Sequence, residues 1–146
     1  MSARTKARKR ALDVLFEADQ RALPVAEVLA ARIEHSGAEA PLPEYSIEIV
    51  RGFIECAQGV DRAIAGAATE WTLDRMPAVD RALLRVAAWE ILYNPDVDPA
   101  VAIDEAVSLA ATLSTDDSGA FVNGVLGTIA RGAANGPTTE AGDRVQ

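Results

Sequence analysis

Residues 101–131 read VAIDEAVSLAATLSTDDSGAFVNGVLGTIAR, two apolar patterns divided by a polar knot at Ser114, Thr115, Asp116, Asp117, Ser118 and Gly119. In the first pattern Val101, Ala102, Ala106, Leu109, Ala110 and Leu113 recur three and four apart, the spacing of one helical face. Phe121, Val122, Val125, Leu126, Ile129 and Ala130 repeat the spacing in the second. The knot supplies a stop and a restart: Ser114 followed by Asp117 resembles a capping box, with carboxylates near the positive end of the new helix. Asn123-Gly124 is a hairpin cue, but a turn there would break a continuous helical repeat, so the helix is retained. Gly124 is then expected to admit a neighbouring helix.

Working outward, the remaining segments read as helices too. A helix is expected over 5–21, with Ala7, Ala11, Leu12, Val14, Leu15, Phe16 and Ala18 as a broad apolar face, after a disordered start at 1–3. Pro24 opens a second helix to about residue 34. A third, over 44–68, carries Gly52, Gly59 and Gly66 seven apart, a small-residue stripe suited to a helix crossing. Trp71 to Pro77 forms a connector with a single turn after Thr72, and a fourth helix covers 78–93. After Arg131 periodicity stops, and 132–146 is expected to be a disordered tail. The fold class is therefore all-α: three helices (residues 1–70), then a connector and three more (71–131). Hydrophobic residues make up 49% but aromatics only 5%, a composition suited to close-packed helices rather than a β-sandwich.

Composition also narrows function. The single Cys56 excludes an internal disulfide and a thiolate metal cluster, and the single His35 excludes a histidine pair. Cys56 reads as a small hydrophobe and His35 as a surface residue or helix C-cap. Nucleotide loops of the GxxxxGKS/T and GxGxxG types and the HExxH zinc motif are absent. Asp104-Glu105 and Asp116-Asp117 point in different directions on a helix, so neither pair forms a metal site. The chain reads as non-catalytic, without cofactor or metal. With no apolar run long enough to span a bilayer and no secretory leader, a cytoplasmic protein is expected.

Charge is distributed unevenly. Residues 1–10 hold Arg4, Lys6, Arg8, Lys9 and Arg10 and carry +5, while the rest carries −13, giving a net −8. The cluster reads either as a solvated helix start or, because five cations at a helix N-terminus oppose the dipole and call for another use, as a nucleic-acid contact, and the second is the leading reading.

The motifs VAIDEAVSLA and DDSGAFVNGVLGTIAR, with Val79–Arg85, Trp89–Leu92 and the basic start, resemble the NusB family of transcription antitermination factors. The resemblance implies two packed three-helix bundles. It also implies binding of the boxA segment of nascent RNA, with the ribosomal protein NusE as partner, within an RNA polymerase antitermination complex. On this chain the implied RNA side is Arg4, Lys6, Arg8, Lys9, Arg10, Phe16, Asp117, Ser118 and Phe121. Cations would track phosphates, aromatics stack bases and short polar groups read base edges. Phe16 stands where the family often has tyrosine and has a second reading as core. Phe121 shares that ambiguity, and Gly119-Ala120 lacks a basic residue common in the family. The basic leader and the Asp-Ser-x-x-Phe helix start are expected side by side on one face. The partner side is implied around Asp74, Asp80 and Glu90, an acidic surface suited to a basic ribosomal protein. Without that partner the surface could pair with itself in a homodimer. The competing reading is a helical scaffold that binds only protein.

Overall fold

Ala82, Leu83, Leu84, Val86, Ala87, Ala88 and Trp89 are consecutive or nearly so, and all are buried, so the helix carrying them is apolar around most of its circumference. A helix of that kind belongs in the middle of a fold. The computed structural model describes residues 2–135, all of whose α-helices form one assembly around it. The helices are α1 (Ala3–Arg21), α2 (Val25–Glu34), α3 (Glu44–Ala67), α4 (Ala78–Tyr93), α5 (Pro99–Leu113) and α6 (Asp116–Asn135), with a 3-10 turn at Leu73–Arg75. Helix α4 packs against α1, α3, α5 and α6. The first three helices contact one another, as do the last three, and one hydrophobic cluster runs unbroken through both bundles. The expected two-bundle, all-helical architecture is the observed one.

Prolines set several boundaries. Pro24, Pro43 and Pro77 each sit at the N-cap of the next helix with φ near −60°, and Pro99 opens α5. Lacking an N–H, proline costs nothing there, where that donor would be unsatisfied anyway. Small residues set the approach distances. Ala7, Ala11 and Ala18 of α1, Ala82, Ala87 and Ala88 of α4, and Ala102, Ala106 and Ala110 of α5 are all buried.

Four expectations need correction. Helix α1 begins at Ala3, because the Ser2 hydroxyl accepts the Thr5 N–H at 3.1 Å and caps it. Ser114 is the C-cap of α5, its N–H donating to Ala110 O, rather than the N-cap of α6. Helix α6 runs on to Asn135, so part of the expected tail is helical, and residues 136–146 lie outside the described residues. Gly124 faces no neighbour: a Cβ there would meet nothing within 4 Å. The close approaches fall on α3 instead. A Cβ on Gly52 would come within 2.2 Å of the Trp89 ring, and one on Gly59 within 2.1 Å of the Tyr93 hydroxyl. Between those two glycines α3 kinks at Cys56, whose φ is −113° and ψ 19°.

Candidate nucleic-acid interface

The five cations of α1 divide by helical position. Arg4 and Arg8 lie four apart on the side of α1 toward Tyr45, Arg8 buried and Arg4 still exposed at the edge. Arg8 is only 5% exposed, and its Nε reaches both Glu90 carboxylate oxygens, at 3.0 and 2.9 Å, while Nη1 reaches Glu105 Oε1 at 3.2 Å. The Tyr45 hydroxyl donates to Glu90 Oε2 and accepts from Asn94 Nδ2 at 3.2 Å, and Thr5 Oγ1 donates to Glu105 at 2.5 Å. The Arg4 guanidinium stacks over the Tyr45 ring, 3.9 Å from its centroid. Residues from α1, α3, α4 and α5 thus meet in one buried polar network. Burial pushes the Glu90 carboxyl above its ordinary pKa, against the hydrogen bond from Tyr45 and the charge of Arg8. Burial also raises the Tyr45 phenol, with Glu90 adding to the effect.

The other cations face outward. Lys6 is exposed and forms no ion pair among the described residues. Lys9 contacts both Asp13 oxygens at 3.0 Å, and Arg10 donates to Ser36 O at 2.5 Å with Asp13 at 3.7 Å. These partly exposed pairs hold their cations weakly. Lys9, Arg10 and Arg32, with Asp13 and Glu17, line a cleft of about 430 Å³ between α1 and α2.

The polar knot closes a second network at the far end of α4. Asp80 is fully buried; its two oxygens accept the Ser114 and Ser118 hydroxyls, each at 3.0 Å, and those hydroxyls lie 2.8 Å from one another. Ser118 is 3% exposed, which leaves Asp117 as the exposed member of the motif. Phe121 is half-buried and meets the exposed Trp71 edge-to-face, with centroids 5.0 Å apart. Phe16 is half-buried against the core.

Three site expectations are corrected by the structure. Asp80 and Glu90 were expected on an acidic surface, but both carboxylates are internal, and only Asp74 of that set is exposed. Arg8, expected to face phosphate, is enclosed by Glu90 and Glu105. The basic leader and the Ser118 corner are not side by side. Arg8 contacts Glu90 at one end of α4 and Ser118 contacts Asp80 at the other, about 15 Å apart for ten residues of helix. Helix α1 runs antiparallel to α4, since Arg81 pairs with Asp19, so Phe16 lies between the two ends.

Burial raises the Cys56 thiol, His35 is an exposed C-cap, and no metal-holding group of acidic, His or Cys side chains occurs among the described residues. No helix among them is long and apolar enough to cross a membrane. Sequence reading missed Tyr45, Glu105 and Trp71. Tyr45 and Glu105 lie on periodic helices whose charged partners were unknown, and Trp71 sits in a connector without periodicity.

These features define a double three-helix bundle, tied across its halves by one buried polar network and within its second half by another, with a cationic edge and an aromatic corner. The profile of the NusB family matches residues 5–131, and the chain belongs to that family. It is 52% identical over 139 residues to the transcription antitermination protein NusB of Beutenbergia cavernae, covering 90% of this chain and 91% of that one. Identity to the same protein of Salinispora arenicola is 56% over 133 residues, covering 89% and 96%. Among solved structures, T. maritima NusB superposes with a TM-score of 0.77 at 30% identity, covering 89% of this chain and 92% of that chain. A crystal structure of the antitermination factors NusB and NusE in complex with dsRNA gives 0.76 at 25% identity, covering 88% and 96%.

Proposed function

We propose that this protein is a non-catalytic, RNA-binding transcription antitermination factor that binds boxA-type single-stranded RNA together with the ribosomal protein NusE. The observation that carries this reading is the outward cationic edge of α1 on an otherwise acidic chain, in a fold shared with a NusB solved with NusE and RNA. In this reading Lys6, Lys9, Arg10 and the exposed part of Arg4 draw the phosphates in, and Phe16 and the Asp117–Phe121 corner receive bases farther along α4. Arg8, Asp80, Ser118 and Glu90 hold those elements in place and act on RNA only through them. Asp74 remains an exposed acid available to a basic partner; the Thr72 hydroxyl donates to it at 2.6 Å and holds its carboxyl below the usual range.

Filter binding with boxA-type and scrambled RNA, with and without NusE, tests the reading. Preferential retention of the boxA-type RNA, strengthened by NusE, is expected. Equal retention of both RNAs would remove sequence recognition, and binding of NusE without RNA would favour a scaffold that joins only proteins.

A further inference from the structure

Trp71 is 42% exposed, although a buried tryptophan is among the largest apolar contributions a small core can have. It does not hang from a loose loop. Arg81 donates to Leu73 O at 2.7 Å and to Met76 O at 3.0 Å, and Thr72 donates to Asp74, so the connector that follows the ring is braced from both sides. Phe121 supports the indole edge-to-face at 5.0 Å with an interplanar angle of 66°, which leaves much of the indole surface in solvent. Around this platform the charges are mixed: Asp74 and Asp117 are exposed acids and Arg75 an exposed cation. Asp74 lies three residues from Trp71 and Asp117 one helical turn before Phe121, and carboxylates there repel phosphate, so the corner suits the uncharged face of a base.

We infer that Trp71, propped by Phe121, is a stacking platform for one unpaired nucleobase of the RNA. The inference rests on the RNA-binding reading above. It adds a residue to the ligand surface and gives the end of α4 remote from the basic leader a defined task.

The two tryptophans make the test direct, because Trp89 is 6% exposed and Trp71 is the one that can report a ligand. Full-length protein is titrated with a boxA-type single-stranded oligonucleotide, following tryptophan emission and, separately, anisotropy of labelled RNA. The wild type is expected to be quenched as RNA binds. Trp71→Phe keeps a π-face and should bind within about twofold of wild type, but without the emission change. Trp71→Leu keeps apolar packing on Phe121 without a π-face and should bind about five- to 150-fold more weakly, the loss of one stacked base, at an unchanged denaturation midpoint. If Trp71→Leu binds like wild type and RNA leaves the emission unmoved, the ring merely props Phe121; this inference falls while RNA binding stands. An emission change caused by NusE and not by RNA would assign the corner to protein and overturn it equally. Absence of any RNA binding by the wild type would overturn both readings together.

Discussion

Arg8 and Lys6 are two residues apart and do different work. Arg8 is enclosed with Glu90, whose side chain is 1% exposed, so removing the guanidinium would strand a buried carboxylate. Arg8→Ala should therefore destabilise the fold by about 3–5 kcal/mol in urea denaturation, whereas replacing the pair together by Met and Leu should recover much of the loss. Lys6→Ala should leave stability within about 0.5 kcal/mol and weaken RNA binding instead. A second contrast concerns pH. The Arg32 hydrogen bond, opposed by partial burial and helped by Arg21, holds the Glu17 carboxyl at about 2 instead of 4.5. A carboxyl with a depressed folded pKa stabilises fully above its unfolded value and loses that contribution as pH falls. Wild type should exceed Glu17→Gln in stability at neutral pH, and denaturation curves should show the gap closing between about pH 4.5 and about 2.

At the scale of elements, two glycines on neighbouring contexts separate packing from propensity. Gly52 lies under the Trp89 ring, so Gly52→Ala should cost about 1–3 kcal/mol through overpacking. Gly124 has open space, so Gly124→Ala should gain close to 1 kcal/mol of helix propensity, read as a raised denaturation midpoint. Helices were legible because Val, Leu and Ala recur at helical spacing, and prolines fall at their starts. The α3 crossing was legible from Gly52 and Gly59, whereas Gly66 and Gly124 show that a glycine alone does not mark a neighbour. What the sequence held less openly was which charges turn inward. Asp80, Leu84, Ala87 and Glu90 lie on one stripe of α4, and Arg8, Leu12 and Leu15 on one of α1. Charged residues on an apolar stripe must be paired to be buried, but their partners, Ser114 and Ser118 for Asp80 and Arg8 and Tyr45 for Glu90, come from helices far away in sequence. Only the assembled fold brings them together.

For the whole molecule the decisive quantity is where positive charge remains accessible on an acidic particle. With Arg8 enclosed, Arg4, Lys6, Lys9 and Arg10 are the leader cations left to displace counterions from RNA, and they lie toward the α4 end that carries Glu90. The path proposed for RNA runs from there past Phe16 toward Trp71 and Phe121. Asp117 borders that far corner, so Asp117→Asn should hold or raise RNA affinity, checked by anisotropy, since it removes a charge that repels phosphate. The salt dependence of boxA-type RNA binding probes the central claim most directly. At four contacts log K should fall against log[salt] with a slope of up to about −2.8, and a variant with Lys6, Lys9 and Arg10 changed to Ala should flatten it to about −0.7. An identical slope for both proteins would mean that the RNA binds elsewhere.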